Sequence, residues 1–157
     1  MGIEIERRFL VSDDSWRHGT TGTKYRQGYL YFQDYGVLRL RIAGDQAFLT
    51  VKALKDDLSA FEYEYEIPLR DADEMLTELC DRPPVEKIRY RIPYERMIWE
   101  VDVFLGDNDG LVIAEIELTH AEQVIALPPW VGKEITDDRK YLNASLYKNP
   151  YKNWHID

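Results

Sequence analysis

The sequence predicts a mainly β (α+β) fold, in which about eight antiparallel strands close into a barrel around a charged tunnel, with a few short flanking helices. Three observations support this prediction. Alternation of apolar and polar residues with a period of two is far more frequent than helical periodicity. Turn signals such as Asp34-Tyr35-Gly36 and Ala43-Gly44-Asp45 separate successive segments. Charged residues also occupy one face of most segments, and closure of the sheet would bring those faces together inside a barrel.

The individual elements follow from the same alternation. The predicted strands cover residues 3–11, 29–33, 37–43, 47–52, 61–69, 85–93, 97–105 and 111–119. Residues 71–80 begin with acidic side chains and end before Pro83-Pro84, and residues 120–127 end before Pro128-Pro129, so both are predicted as short helices. A third helix is predicted around residues 141–147. Because no linker or repeat divides the chain, residues 1–157 are predicted to form one domain.

The composition restricts the classes of partner. The 157 residues include 20 Lys and Arg against 29 Asp and Glu, which gives a formal net charge of −9. Such a chain has no overall attraction for nucleic acid or anionic lipid, so an anionic ligand needs a local set of basic residues. Residues 1–11 carry charges where a signal peptide needs apolar residues, and no apolar run approaches the ~20 residues of a membrane helix. Together with the single cysteine, Cys80, this favours a cytoplasmic location.

Charged residues recur at every second position, and on a strand such residues share one face about 6.6 Å apart. One strand of this kind is usually half-solvated, but seven of them, sorted into acidic and basic rows, favour a lumen in which the charges need partners. Two other barrels are less consistent with this pattern. A transmembrane barrel would require export and lipid-facing aromatic girdles, and neither appears in the sequence. A lipocalin-like barrel would have a mainly apolar interior, with the charged residues outside. The rows are Glu4, Glu6 and Arg8; Arg39 and Arg41; Thr50 and Lys52; Glu62, Glu64 and Glu66; Lys87, Arg89 and Arg91; Glu100 and Asp102; and Glu115 and Glu117.

The rows point to a ligand. Arg and Lys side chains along a line suit a linear chain of phosphates better than a single carboxylate. Acidic rows in the same lumen would repel that polyanion unless their oxygens hold a divalent cation such as Mg²⁺ or Mn²⁺. The sequence therefore predicts metal-assisted binding of an oligophosphate, with hydrolysis or phosphoryl transfer as the chemistry.

A set of short motifs begins with Glu4-Ile5-Glu6-Arg7-Arg8 and continues at residues 26–30, 38–41, 49–52, 64–67, 85–89, 100–104, 114–117 and 136–143. In content and order the set resembles the CYTH superfamily, the triphosphate tunnel metalloenzymes, and the resemblance covers nearly the whole chain. The family includes class IV adenylate cyclases, thiamine triphosphatases and bacterial inorganic triphosphatases. Membership implies an eight-stranded antiparallel tunnel that binds a triphosphate lengthwise with Mg²⁺ or Mn²⁺, with two ions during turnover.

The resemblance also implies roles for individual residues. The metal ligands would be Glu4, Glu6, Glu115 and Glu117, with Asp102 binding metal directly or through water. Phosphate oxygens would be contacted by Arg39, Arg41, Lys52, Lys87, Arg89 and Tyr29, together with either Arg139 or Lys140. The catalytic group would comprise Arg8, Lys87, Glu64 and Glu66, with the two glutamates supporting metal or positioning water.

Position 8 departs from the family signature, which has lysine there. Arg8 keeps the positive charge and can grip phosphate with two donors, but a guanidinium cannot act as a neutral base. Two interpretations follow. Either the exchange is tolerated because the charge is retained, or the activity is weakened, altered in substrate or dependent on another residue.

The predicted function is hydrolysis of inorganic tripolyphosphate to diphosphate and phosphate by a metal-activated water. The alternatives are a nucleoside or thiamine triphosphatase, a class IV-type adenylate cyclase, and a non-catalytic polyphosphate-binding module. An organic substrate would need an aromatic platform, for which Trp16, Trp99, Trp130 and Trp154 are candidates, although each is as readily a packing residue. His18, His120, His155 and Cys80 lie outside the motifs. The expected partner is a small oligophosphate, with no nucleic acid or membrane, for a monomer or homodimer.

Overall fold

The computed structural model describes residues 2–154, and the fold is mostly β. The strands are β1 Ile3–Val11, β2 Thr23–Phe32, β3 Gly36–Ala43, β4 Gln46–Leu54, β5 Ser59–Ile67, β6 Val85–Tyr94, β7 Met97–Phe104, β8 Val112–Glu117 and β9 Val131–Glu134. The α-helices are α1 Leu69–Glu78 and α2 Asn143–Lys148. Four 3₁₀ turns cover Ser15–Arg17, Gly106–Asn108, Arg139–Tyr141 and Tyr151–Asn153. Among the described residues, none of the helices has the length and apolar character needed to cross a membrane.

Eight antiparallel strands form a closed barrel in the order β5-β4-β3-β2-β6-β7-β8-β1, and a β1–β5 pairing completes the circle. The strand β1 closes the barrel with its first half only, because Ile3–Ile5 pair with Ser59–Phe61 of β5. Its second half instead pairs with β9, from Phe9 opposite Glu134 to Val11 opposite Val131. The predicted closed barrel is therefore confirmed, with one additional strand at its edge.

Apolar packing fixes the helices on the barrel. The side chains of Ala72 and Leu76 bury one face of α1 against Leu40 of β3, which is the single-face burial that stabilises a short amphipathic helix. A side chain at Gly28 of β2 would lie 2.8 Å from the Leu76 side chain, so the glycine permits this close approach. The second helix, α2, buries Leu146 and Tyr147 at one end of the barrel, in the cluster that contains Tyr29, Phe104 and Ile113.

The predicted helix at residues 120–127 is wrong. Turns lead into an irregular segment there. The Gln123 side-chain oxygen accepts hydrogen bonds from the Thr119 backbone N–H at 2.7 Å and from the Thr119 hydroxyl at 2.9 Å. Val124 is 93% exposed, so the segment has no continuous apolar face that packing could stabilise as a helix. Pro128 also disfavours helical backbone in the residue before it.

Other elements also differ from the sequence prediction. The strand β2 begins at Thr23 and not at residue 29, and β9 was not predicted. Helix α1 starts two residues before the predicted 71, and α2 covers Asn143–Lys148 where 141–147 was expected. His155, which the sequence left without a role, lies outside the described residues.

The hairpin between β6 and β7 carries backbone strain. Tyr94 pairs with Met97, and the two loop residues Glu95 and Arg96 have positive φ values of 48° and 67°. Hairpin turns of this type favour Asn-Gly, because side chains with a Cβ strain the left-handed region. We expect Glu95→Asn combined with Arg96→Gly to raise the free energy of unfolding by about 1 kcal/mol, measured by urea denaturation.

The β3–β4 hairpin supplies the control. Gly44 has φ +60° and an added Cβ would lie 3.4 Å from the Thr23 methyl group, so Gly44→Ala is expected to lower stability by about 1 kcal/mol. A double variant at positions 95 and 96 that is no more stable than the wild type would contradict the strain argument.

Candidate functional site

The barrel interior contains a cavity of about 270 Å³ whose wall is dominated by charged side chains. Residues from β1 to β8 and from the C-terminal segment contribute to it. The basic lining residues are Arg8, Arg39, Arg41, Lys52, Lys87, Arg89, Arg139 and Lys148. The acidic ones are Glu4, Glu6, Asp34, Glu62, Glu100, Glu115 and Glu117. Cations and carboxylates therefore line one cavity.

Strand register explains why these side chains converge. Arg8 of β1 lies directly opposite Glu115 of β8, and Glu6 lies opposite Glu117. Residues directly opposite on antiparallel strands point to the same face, and alternate residues along each strand share that face. The charged rows that the sequence shows at every second position consequently face the barrel interior, while Phe9, Trp99 and Ile116 pack in an apolar cluster on the outer face.

The cations of the cavity crowd one another. Burial, together with the nearby charges of Arg39 and Arg89, lowers the pKa of Arg41 to about 10. The Nε atoms of Arg8 and Arg39 are buried and have no hydrogen-bond partner among the described residues. Unpaired donors and mutually repelling guanidinium groups are both relieved by a bound anion, so this part of the cavity is suited to oligophosphate.

Asp102 lies behind the cavity wall, where its carboxylate contacts two of the lining cations, Lys87 and Arg89. It is fully buried, and its Oδ1 accepts from Arg89 Nε at 2.7 Å while its Oδ2 accepts from Lys87 Nζ at 2.8 Å. Burial favours the protonated acid, but the charges of Arg89 and Lys87 and their hydrogen bonds hold the pKa of Asp102 well below its usual range. Both oxygens already have cationic partners, so the structure places Asp102 as a support for Lys87 and Arg89.

Lys87 is the most enclosed cation of the site, at 1% exposure. Burial lowers its pKa to about 8, although Asp102 favours the charged form. Two of the three N–H donors of the ammonium group are used, one by Asp102 and one by Asn143, whose Oδ1 accepts from Lys87 Nζ at 2.9 Å. A phosphate oxygen in the cavity can accept a hydrogen bond from the third.

The carboxylates of the cavity repel one another. Burial raises the pKa of Glu117, and the neighbouring charges of Glu4, Glu100, Glu6 and Glu62 raise it further. Burial and the charge of Glu6 likewise raise the pKa of Glu115. Hard carboxylate oxygens in mutual repulsion are the donor set that Mg²⁺ or Mn²⁺ binds and neutralises, so these residues fit a divalent cation.

Within residues 2–154, no three His, Cys, Asp or Glu side chains are already grouped in a geometry that would hold a metal ion. Several of the carboxylates instead contact cations of the same cavity. Glu4 accepts from Lys52 at 2.9 Å, Glu6 lies 3.2 Å from Arg8, and Glu115 lies 3.4 Å from Arg89. Side-chain rotation toward a metal would exchange these ion pairs for metal–oxygen bonds.

Arg8 is buried and connects three parts of the site. Its NH1 lies 3.2 Å from Glu6, and its NH2 donates to the Thr136 carbonyl at 2.8 Å. Its backbone N–H also donates to the Thr136 hydroxyl at 3.0 Å. These contacts hold the guanidinium in place at the cavity, which Arg8 lines. Arg8 is therefore placed as a cation that could contact a bound anion.

Four predicted site residues lie outside the cavity wall: Glu64, Glu66, Asp102 and Lys140. Glu64 accepts from Thr50 at 3.4 Å and lies 3.6 Å from Arg39, so it supports a lining residue from behind. Glu66 is exposed further along β5. The remaining predicted residues, including Tyr29, line the cavity.

The structure distinguishes Arg139 from Lys140. Arg139 lines the cavity, whereas Lys140 Nζ lies over the rings of Tyr141, at 5.3 Å, and Trp154, at 4.9 Å. Cation–π contacts of this kind hold the Lys140 ammonium at the aromatic cluster. Arg139 is therefore the one of the two that is placed to meet a ligand.

The candidate aromatic platform is not formed by tryptophan. Among the described residues, the four tryptophans are absent from the cavity wall. Trp16, Trp99 and Trp130 are buried in the outer apolar cluster. The two histidines in the described part of the chain, His18 and His120, are exposed, and Cys80 is a half-buried free thiol beside α1.

Several lining or supporting residues were not selected from the sequence. Glu62 and Glu100 belong to rows that the alternation did identify, so periodicity alone would have included them. Gln27 and Asn143 are neutral, and Gln27 lies in the part of β2 that the sequence prediction missed. Asn143 and Lys148 come from α2, and no local pattern in the sequence indicates that this helix packs against the barrel.

The fold and the cavity together define a class of protein, a closed antiparallel barrel whose interior is lined by both basic and acidic side chains. The chain belongs to the CYTH domain family, whose model matches residues 2–146. The family assignment made from the motifs is thereby confirmed.

Relatives of known name cover almost the whole chain. An inorganic triphosphatase of Acetivibrio thermocellus is 49% identical over 154 residues, which span 98% of this chain and 99% of that protein. An inorganic triphosphatase of Nitrosomonas europaea is 38% identical over 150 residues, which span 91% of this chain and 95% of the relative. A crystal structure of an inorganic triphosphatase superposes with a TM-score of 0.68 at 35% identity, covering 92% of this chain and 93% of that one.

Proposed function

We propose that this chain is a divalent-metal-dependent inorganic triphosphatase that hydrolyses linear tripolyphosphate to diphosphate and phosphate. The observation that carries the proposal is the single cavity in which a crowded cation set faces a mutually repelling carboxylate set. The names of the relatives at 49% and 38% identity support the same activity.

Glu4, Glu6, Glu115 and Glu117 would hold the metal, as Mg²⁺ or Mn²⁺, because their carboxylates line the same side of the cavity and lack enough nearby cations to neutralise all of them. When bound, such ions neutralise phosphate charge and lower the pKa of a coordinated water, which supplies the nucleophile. The buried Asp102 remains with Lys87 and Arg89 and keeps their positions fixed.

The basic residues would bind the phosphate chain. These residues come from three strands of the barrel wall and line one cavity: Arg39 and Arg41 from β3, Lys52 from β4, and Lys87 and Arg89 from β6. Their donors would orient the anion and neutralise the charge that develops on the leaving diphosphate. Arg8 would contribute its buried Nε–H as a further donor, with no role as a base.

Two aromatic rings of the cavity wall each lie close to a cation. The ring of Phe32 lies 3.8 Å from Lys148 Nζ, and the ring of Tyr35 lies 5.8 Å from the Arg139 guanidinium. Both rings line the cavity, and the cation already over each of them competes with an organic group for that face, which favours an inorganic substrate. The free thiol of Cys80 supports a cytoplasmic location for the enzyme.

The experiment is a parallel measurement of phosphate release from tripolyphosphate, ATP and thiamine triphosphate, with Mg²⁺ or Mn²⁺ and with EDTA. We expect kcat/KM for tripolyphosphate to exceed that for the other two by at least about tenfold, with one phosphate and one diphosphate as products and no turnover in EDTA. Tight binding of tripolyphosphate without turnover would instead identify a binding module, and cyclic AMP as the product from ATP would identify a cyclase.

A further inference from the structure

Two uncharged amide side chains connect a pair of cations at the cavity. Gln27 of β2 is fully buried, and its Oε1 accepts from Arg41 Nε at 3.0 Å. Its Nε2 donates to Asn143 Oδ1 at 3.0 Å and to the Tyr29 hydroxyl at 3.1 Å. Asn143 Oδ1 in turn accepts from Lys87 Nζ at 2.9 Å. Gln27 and Asn143 are called the amide relay below.

We propose that the amide relay positions the Arg41 guanidinium and the Lys87 ammonium for the phosphate chain. The inference rests on the proposed function and deepens it, because it assigns positioning residues that neither the charge rows nor the motif roles include. Gln27 and Asn143 act through the two cations that they orient.

The donors and acceptors of the relay fit together in one orientation only. Arg41 and Lys87 are donors without acceptors, so each requires an oxygen from its amide partner. This places Gln27 Oε1 toward Arg41 and Asn143 Oδ1 toward Lys87, which leaves Gln27 Nε2 to donate to Asn143. Reversing either amide would set two donors against each other, at the cost of a buried unsatisfied group.

The amide relay is uncharged, and this affects how strongly the cations that it orients can attract an anion. Lys52 is held by the carboxylates of Glu4 and Glu62, and Arg89 by that of Asp102, so part of their charge is already compensated. An amide oxygen fixes the geometry of a cation without cancelling its charge. The amide relay therefore leaves more of the charge of Arg41 available to an anion.

The relay also makes the C-terminal segment part of the site. Asn143 is the first residue of α2, and it is 116 positions from Gln27 and 56 from Lys87 in the sequence. Leu146 and Tyr147 of the same helix anchor α2 in the apolar cluster at the end of the barrel. The spacing of the two cations consequently depends on the docking of α2.

The test compares Asn143→Ala, Gln27→Met and the double variant with the wild type. We expect each single variant to raise KM for tripolyphosphate about tenfold, with a smaller fall in kcat, because a hydrogen bond to a charged group is lost. The double variant is expected to resemble a single one, because the two residues act as a unit. Asn143 is half-buried at the start of a helix, so its replacement tests the inference even where the buried Gln27→Met does not fold.

Gln27→Glu separates positioning from simple packing. It keeps an acceptor for Arg41 but adds a negative charge, so we expect KM to rise at least as far as in Gln27→Met. Asn108→Ala is the matched control, since Asn108 is a buried amide that accepts from the Tyr151 backbone N–H at 2.8 Å away from the cavity. The control is expected to lower the melting temperature and leave KM unchanged.

Direct binding of tripolyphosphate, measured by calorimetry in EDTA, keeps this inference separate from the proposed function. Absence of wild-type turnover would reject the triphosphatase proposal, while the ratio of variant to wild-type Kd would still test the amide relay. Unchanged KM and Kd in Asn143→Ala, additive effects in the double variant, or wild-type KM in Gln27→Glu would each overturn the inference.

Discussion

Replacing Glu6 with glutamine is expected to reduce metal-dependent hydrolysis of tripolyphosphate by on the order of a thousandfold, because metal stabilisation of the transition state is worth about 4 kcal/mol. Glutamine retains the shape of the side chain and an oxygen for Arg8 NH1, which lies 3.2 Å from Glu6. What it removes is the negative charge that the metal needs. The measurement is kcat/KM across a range of Mg²⁺ and Mn²⁺ concentrations, with circular dichroism as a check of the fold.

The matched control is Glu78→Gln, which makes the same chemical change at an exposed position near the end of α1. It is expected to keep wild-type activity. Full activity in Glu6→Gln would mean that the metal assignment is wrong, even if the barrel and the phosphate contacts are correct.

Replacing Asp102 with asparagine is expected to lower the free energy of unfolding by about 3–5 kcal/mol, since it removes the buried carboxylate that contacts both Lys87 and Arg89. Asp102 is fully buried and accepts three hydrogen bonds, one from Lys87 and two from Arg89. The measurement is urea denaturation of wild type and variant at pH 7.

The pH dependence of this difference has a definite sign. The folded-state pKa of Asp102 is lowered, so its contribution to stability is present above the unfolded pKa of about 3.9 and is lost as pH falls below that value. The gap between wild type and Asp102→Asn should therefore be full near neutral pH and should shrink in acid.

An exposed ion pair provides the control for Asp102. Asp107 lies 3.0 Å from Lys152 with both side chains about half exposed, so Asp107→Asn is expected to cost less than about 1 kcal/mol. Equal destabilisation by the two substitutions would contradict the view that burial makes the Asp102 cluster special.

The sequence predicted the barrel because strand periodicity is a local property. Alternation at Glu4, Glu6 and Arg8 of β1 assigns these residues to one face without any knowledge of the neighbouring strands. The prediction failed for residues 120–127, which were assigned to a helix that ends before Pro128-Pro129. Whether such a segment becomes helical depends on a surface to pack against, and Val124 has none.

The alternation of apolar and polar residues does not predict how deeply a residue is buried in the site. Asp102 and Glu100 are both polar members of β7, but Glu100 lines the cavity while Asp102 lies beneath Lys87 and Arg89. The distinction depends on which cation faces each carboxylate across the β6–β7 ladder, with Arg89 opposite Asp102. A single strand does not encode that depth.

By itself, the sequence determined the closed barrel, the charged face of each strand and the family, because alternation and ordered motifs are written along the chain. Only the tertiary structure decided that Asp102 supports cations, that Arg139 and not Lys140 reaches the cavity, and that Asn143 meets Lys87 and Gln27. These outcomes depend on contacts between residues far apart in the sequence, and the packing of α2 against the end of the barrel sets several of them. The free energy that selects them comes from burial and charge pairing, which exist only once the chain has folded.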